Sequence, residues 1–316
     1  MNFLFHQSQH VMKKMQTSFD MEGKNCVDTG RDALFARDKS CSSESLCSLQ
    51  VQYFFASDIP LRLGQRLCLQ RIGNSQCTLC DRVVNKLFGG FCYVCFRSKA
   101  CADMCVLSPH LCHYHKGTCR EPQWGQDFCF QPHVVYLAFT DKFKVGITRQ
   151  SQMPTRWADQ GATLAGILAW VDSRRQAGVL EKFLSSLVGT SSHWRNMLKK
   201  GNQRPPVEEF VNKMEELKAA MISSEGFEQG GLLVEHPLLK EPSIQLFSGP
   251  RVFALNYHIP PDFEIGATSL NLDKHAKIEG TLEAIKGQYL ILDGKAFSVR
   301  RHEGVLVDVH LENPVF

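Results

Sequence analysis

The chain has no apolar run near the ~20 residues that a membrane-crossing helix requires. Its best candidate, GATLAGILAWV, is much shorter, so no membrane partner is expected. A strong charge bias is also missing. The 36 Lys and Arg residues against 32 Asp and Glu leave a net charge of +4, too little on its own to argue for a nucleic acid. The opening stretch MNFLFHQSQHVMKK places its cations after a very short apolar patch. That is not the order of a secretory leader, and a cytoplasmic location is expected. Cysteine, by contrast, is abundant. Thirteen are present, an odd number, and several sit in C-x-x-C pairs. In a long chain without a secretory start this favours metal binding in a reducing compartment over disulfides. With 43% apolar and 22% charged residues in 316, one large or two to three small globular domains are expected.

The cysteines are densest from Cys77 to His133. CTLC (Cys77, Cys80) and CYVC (Cys92, Cys95) are two chelating knuckles, and Gly89-Gly90 between them is suited to turn the chain. Two such turns brought face to face give the four thiolates of a tetrahedral structural zinc. A second group follows: Cys101, Cys105, Cys112, His113, His115, Cys119, Cys129 and His133. It offers more ligands than one zinc uses. Cys105, Cys112, Cys119 and Cys129 are the expected set, with Cys101, His113 and His133 as replacements and His115 as a surface residue. Cys26, Cys41 and Cys47 have no ligand-like spacing, lie in the polar stretch from Cys26 to Gln50, and read as incidental thiols.

From His133 to Trp157 the pattern changes. VVYLAF (Val134–Phe139) and FKVGIT (Phe143–Thr148) are rich in β-branched and aromatic residues, and only three residues separate them. A tight hairpin is expected. Gly146 within its second strand signals a bulge or a close backbone approach. Pro154-Thr155 opens a helix that carries Arg156 in its first turn. ATLAGILAWVD reads as a strand covered on both faces. RRQAGVLEKFLSSLV has helical apolar spacing, with Glu181 beside the stripe. A short helix with Trp194 and Arg195, a linker at 199–206 and a one-sided helix from Val207 come next. Residues 243–316 are a series of strand-like runs with an Asp293-Gly294 turn, in the manner of a small open barrel.

The hairpin resembles the GIY-YIG nuclease superfamily, in particular its variants with K-[IV]-G-I-T as the second motif. Val134-Val135-Tyr136 stands at the first motif and Lys144-Val145-Gly146 at the second. The longer stretches CTLC, CHYHKGTCREPQWG, KVGITRQSQMPTRWADQGA, SSHWRNMLKKG, SLNLDK and IKGQYLILD are similar to a bacterial family known only as domain of unknown function 2797. The expected fold is thus α+β: a zinc-ribbon module, a GIY-YIG-like small sheet with helices, and a β-rich, barrel-like part. The expected divisions are 1–50 as a poorly ordered segment or insertion, 51–76 as strands that pair with the C-terminal β-domain, and 77–132 as the zinc segment. Residues 133–200 would be the GIY-YIG-like domain, 201–242 a linker and helix, and 243–316 the β-domain.

The nuclease resemblance implies phosphodiester cleavage by a divalent metal, Mg or Mn, held at a glutamate. Carried onto this chain, Tyr136 is the first motif tyrosine, Arg156 the arginine that steadies the phosphate, and Glu181 the metal ligand. Lys144 replaces the second tyrosine. A lysine is almost wholly charged at neutral pH, so it suits phosphate binding better, together with Arg149 and Arg156. Between Arg97 and Asp159 there are eight cations and five anions, a modest match to DNA or RNA. Each residue also has an ordinary reading: Tyr136 as a core aromatic, Arg156 paired with Asp159, Glu181 as a solvated helix residue. Two functions remain open at this point: a zinc-containing nucleic-acid-binding endonuclease, or a non-catalytic zinc-stabilised scaffold for nucleic acid or protein.

Overall fold

The computed structural model describes residues 6–22, 46–55, 59–222, 244–246, 251–260, 263 and 268–312. Cys26 and Cys41 lie outside the described residues. In chain order the strands begin with β1 (His6–Val11), β2 (Gln16–Glu22), β3 (Leu46–Phe55), β4 (Ile59–Pro60), β5 (Arg66–Gln76) and β6 (Val83–Val84). Three short helices follow: α1 (Tyr93–Ser98), α2 (Met104–Leu107) and α3 (Pro122–Cys129). The middle of the chain holds β7 (His133–Phe139), β8 (Phe143–Arg149), α4 (Thr155–Asp159), β9 (Leu164–Val171), α5 (Arg174–Val188), α6 (Trp194–Lys199) and α7 (Val207–Ile222). Its last part supplies β10 (Ile244–Leu246), β11 (Val252–Asn256), β12 (Ser269–Leu270), β13 (Lys277–Lys286), β14 (Tyr289–Leu292), β15 (Lys295–Ser298) and β16 (Val305–Glu312).

The fold is α+β, in layers. One sheet has the order β1-β16-β5-β13-β14-β15-β12, with β6 paired to β5. The other runs β2-β3-β11-β9-β7-β8, with β10 on β9 and β4 on β3. A large apolar core joins Leu67, Leu69, Val307 and Val309 of the first sheet to Tyr53, Tyr136, Trp170 and Phe253 of the second. On its far face the second sheet is covered by α5 and α7, through Leu180, Leu184, Phe210, Met214 and Leu217. All eight residues of β9 are buried, because it lies mid-sheet with the core on one side and helices on the other. The hairpin has the expected three-residue loop, and its seven pairs run from His133↔Arg149 to Phe139↔Phe143. Asp293 and Gly294 both have positive φ, 45° and 71°, and close the β14–β15 hairpin.

Among the described residues, the N-terminal part of the chain contributes strands. Residues 6–22 form two strands, and 46–50 already belong to β3. In β3 the side chains of Cys47, Leu49, Val51, Tyr53 and Phe55 alternate into the core. Strands within 51–76 pair with strands from 243–316, but in two different sheets. β5 pairs with β13 and β16, whereas β3 pairs in parallel with β11 in the hairpin's own sheet. The change of character at 243 is not a structural border, since β10 and β11 both pair with β9. Sequence order and sheet membership part company because the partners come from opposite ends of the chain.

Gly146 explains its own presence. It faces Tyr136 across the hairpin, and a Cβ there would sit 2.6 Å from the Tyr136 hydroxyl oxygen and 2.7 Å from Cζ. The phenol ring lies flat over the space that a side chain would fill. Gly146→Ala is expected to lower stability by about 1–3 kcal/mol through overpacking, read as a lower urea midpoint with an unchanged slope. An unchanged midpoint would mean that the Tyr136 ring moves aside freely.

Candidate functional site

β5 runs directly into the first knuckle. The N–H of Cys77 donates to Arg82 O at 2.9 Å and that of Asp81 to Cys77 O at 3.0 Å, with Asp81 at φ 58°. The second knuckle is brought round by Phe88-Gly89-Gly90-Phe91, where both glycines have positive φ and Phe88 and Phe91 exchange backbone hydrogen bonds. The sulfurs of Cys77, Cys80, Cys92 and Cys95 then all lie within 4.8 Å of one another. Cys80 Sγ and Cys92 Sγ are 3.7 Å apart; sulfurs bound to zinc at ~2.3 Å in a tetrahedron are about 3.8 Å apart. Burial pushes the Cys77 thiol up, but N–H groups of Cys92, Cys80 and Leu79 outweigh it and bring the thiol down to about 6. Those are the conditions a thiolate ligand needs. Apart from the cysteines, the apolar packing here is Val84, Leu87 and Phe91, all only partly buried.

The second cysteine group is less closed. Cys105, Cys112, Cys119 and Cys129 border one small cavity with Asp103 and His113. Within it, Asp103, Cys105 and His113 lie at mutual ligand distance. Asp103 is well occupied: it accepts from Cys105 N at 3.1 Å and from Arg120 Nε at 2.7 Å. His113 has Nε2 at 3.5 Å from Asp103 and Nδ1 at 2.8 Å from Thr118 Oγ1. The replacement ligands Cys101 and His133 do not border the cavity. His133 starts β7, where Nδ1 donates to Gln131 O at 2.7 Å, and burial pushes its pKa down to about 4. His115 is exposed, as expected. Arg120 and Glu121 form structural ties, with Glu121 accepting from Lys99 Nζ at 2.6 Å and Ala100 N at 2.8 Å.

The hairpin's outer strand β8 is the end of its sheet, and a cleft of about 570 Å³ runs along it. Val145 to Arg149 form its floor. α4 contributes Arg156, Asp159 and Gln160, because Trp157 and Ala158 on its other side are buried in the core. α5 contributes Arg174, Glu181, Lys182 and Ser185; its stripe of Ala177, Leu180 and Leu184 faces the sheet. Tyr136 lies beneath the floor, fully buried, its hydroxyl donating to Gln160 Oε1 at 3.0 Å. Burial pushes the Tyr136 pKa up, against the pull of the Arg156 charge and hydrogen bond, while the Glu181 carboxylate pushes it up further. Glu181 itself is raised by burial and pulled down by Arg156 and Arg174. Tyr136, Arg156 and Glu181 are thus electrostatic neighbours. Asp159 does not occupy Arg156: its two oxygens take Lys14 Nζ at 2.5 Å and Gln288 Nε2 at 2.9 Å.

Of the three cations expected to meet a phosphate, the structure brings Arg149 and Arg156 to the cleft and not Lys144. Lys144 is buried, with its ammonium 3.5 Å from Ser192 Oγ. Burial, the Arg156 charge and, in the other direction, Asp141 set its pKa at about 8. The cleft instead gains Lys14, Arg174, Lys182 and Arg300. Lys14 comes from the connection between the two sheets and Arg300 from the β15–β16 connection of the first, which no local pattern announces. Arg174 had a signal. It opens α5 with Arg175 and without any acidic residue in the first turn, against the preference of a helix N-terminus for negative charge.

Fold and site define an α+β protein with a four-cysteine site compatible with structural zinc, and no helix among the described residues is long and apolar enough to cross a membrane. The chain belongs to the family described as Protein of unknown function (DUF2797), whose model matches residues 64–307. No curated protein and no solved structure matches it.

Two outcomes are expected. Purified protein should carry zinc at Cys77, Cys80, Cys92 and Cys95, and Cys80→Ser should release it and unfold the knuckles, since such a site is worth ~10 kcal/mol. A metal-free preparation with undiminished thermal stability would refute this. For Lys144, the unfolded value of 10.5 exceeds the folded value of about 8, so the unfolded chain binds more protons between them. Stability should therefore rise as pH increases across that window and be lost as pH falls through about 8. Lys144→Met should flatten the slope and raise the neutral-pH denaturant midpoint. An unaltered slope would show that Lys144 titrates normally.

Proposed function

We propose that the cleft along β8 binds the phosphodiester backbone of a nucleic acid and cleaves it with a divalent cation, Mg or Mn, held at Glu181. The observation that carries this reading is the content of the cleft. Lys14, Arg149, Arg156, Arg174, Lys182 and Arg300 face Asp159 and Glu181, six cations against two carboxylates. One of the carboxylates, Asp159, is already matched by Lys14. Such an excess of positive charge in a concave, partly desolvated site favours phosphate oxygens. The arrangement also agrees with the nuclease resemblance, in which a tyrosine, an arginine and a glutamate from hairpin, first helix and later helix meet at one place.

Glu181 fits a magnesium-like ion, which needs only one or two carboxylates and fills its shell with water and substrate phosphate. When bound, the ion would supply a more acidic water and neutralise charge on the phosphate. Arg156 would stabilise the anionic transition state from across the cleft. Tyr136, buried and raised above its ordinary pKa, stays protonated at neutral pH. It suits orienting Arg156 and Gln160 better than removing a proton. One observation favours the alternative of a non-catalytic zinc-stabilised scaffold: Lys144 stands at the second tyrosine and is turned away under Ser192.

Binding to DNA and RNA, single- and double-stranded, should weaken steeply with salt, and Arg149→Ala or Arg156→Ala should each reduce the log–log slope by about 1. Glu181→Gln should abolish cleavage of plasmid or RNA with Mg or Mn and leave binding and folding intact. Because the carboxyl is raised by burial and must be ionised to hold the metal, cleavage should fade on acidification at a higher pH than for an ordinary glutamate. Salt-sensitive binding without any cleavage would select the scaffold. No binding at low salt would remove both nucleic-acid readings.

A further inference from the structure

Between Cys95 and Val134 the only buried apolar side chains are Ala100 and Pro109, and Pro109 is buried against α5. Nearly forty residues with so little burial cannot hold themselves by the hydrophobic effect, and such segments are usually clipped by disulfides or metals. The apolar residues that are present face outward: Met104, Leu107 and Leu111 are 62%, 78% and 56% exposed. Even so, this segment takes part in the cleft. Val106, Leu107, Ser108, Pro109 and His110 form one of its walls, and they lie between Cys105 and Cys112. The wall is docked closely on α5. A Cβ on Gly178 would stand 2.5 Å from Pro109 Cβ and 2.6 Å from the backbone N of His110. Arg174 Nη2 donates to Val106 O at 2.7 Å, and the Arg149 guanidinium lies 5.1 Å over the Phe128 ring beside Cys129.

We propose that Cys105, Cys112, Cys119 and Cys129 hold a second zinc-type cation, and that this centre fixes the Val106–His110 wall of the cleft. The four thiols come from four places in the segment, on α2, after the Pro109–Leu111 turn, before α3 and at the end of α3, so one ion on them ties every part of it. They border one cavity of about 20 Å³, enough for a single water-sized occupant; their four sulfurs do not all lie within 4.8 Å of one another, so the ion would draw the thiols inward onto itself. A set of thiolates selects zinc and other thiophilic ions over Mg or Ca. Gly125 keeps the cavity's side open to Tyr114, because a Cβ there would meet the ring at 3.0 Å and stand 3.5 Å from Cys119 Sγ. His113 and Asp103 are spectators to this site. The imidazole faces Thr118 on one nitrogen and Asp103 on the other, while Asp103 caps α2 and pairs with Arg120.

The test uses the full-length protein, purified without added metal. Elemental analysis should give two zinc ions per chain. Native alkylation mapped by mass spectrometry should find Cys105, Cys112, Cys119 and Cys129 protected, and a chelator should expose them together with release of the second ion. Cys112→Ser and Cys129→Ser should each drop the content to one zinc and increase hydrogen exchange in 104–112, with Cys77, Cys80, Cys92 and Cys95 still protected. His113→Asn should keep both ions. If a serine variant does not fold, the wild-type protection pattern decides alone. One zinc per chain with these four thiols reactive in the native protein would overturn the proposal, and so would loss of the second ion in His113→Asn. None of these readouts depends on nucleic acid, so the centre and the cleft's proposed activity can fail separately.

Discussion

Asp159 holds the body of the protein together at the point where the cleft begins. Its carboxylate, 5% exposed, accepts from Lys14 of the β1–β2 connection between the two sheets at 2.5 Å and from Gln288 of the β13–β14 turn at 2.9 Å. Gln288 in turn binds both the N–H and the carbonyl of Met15. A desolvated charge is tolerable only when its partners are complete, and removing one of them strands the rest. Three distant parts of the chain therefore meet on one carboxylate. The consequence for the site is indirect but large. With Asp159 spoken for, Arg156 three residues earlier is not neutralised on its own helix and turns instead to the Tyr136 hydroxyl and to the Glu181 side of the cleft.

The same contrast, local pattern against distant partner, separates what could be read from the residues from what could not. The hairpin, the doubly covered β9 and the two knuckles are written in short-range features: alternation with a three-residue loop, an unbroken apolar run, C-x-x-C spacing. β3 is equally regular, with Cys47 to Phe55 alternating into the core, but its first half follows a Ser-rich stretch and passes for loop. Lys14 and Arg300 reach the cleft only because β1 pairs with β16 and draws both connections to one end of the first sheet. No window of sequence contains that pairing. Lys144 misleads for the opposite reason. It lies on β8 as expected, yet its side chain belongs to the buried face shared with Tyr136 and not to the cleft.

The cysteine-rich segment and the cleft are physically coupled through α5. Its N-terminus presents Arg174 to the carbonyl of Val106 and its middle, at Gly178, accepts the Pro109 turn against bare backbone. A helix that packs on the sheet through Leu180 and Leu184 thereby transmits the placement of the wall to Glu181, one turn further on. Arg149 does the same from the strand side by lying over Phe128. The segment has little apolar burial to spare, so polar ties such as Asp103–Arg120 and Lys99–Glu121 carry much of its order.

Cations outnumber carboxylates along the cleft, and two further buried lysines, Lys144 and Lys286, lie outside its lining. Arg156 lowers the pKa of Lys144, Lys144 lowers that of Lys286, and Arg149 and Arg156 both lower that of Arg174. For Lys144, Lys286 and Arg174 burial is the larger cause of the lowering, and Asp141 works against it at both lysines. An arrangement selected only for stability would relieve the repulsion with carboxylates, and β-strand position 144 would be occupied by an apolar side chain at no desolvation cost. Glu181 answers Arg156 and Arg174 in part, but its own carboxyl is raised by burial, so the answer is incomplete. A phosphate group in the cleft would sit against Arg149, Arg156 and Arg174 at once. Under the proposed function it would oppose the repulsion that Arg149 and Arg156 exert on Arg174.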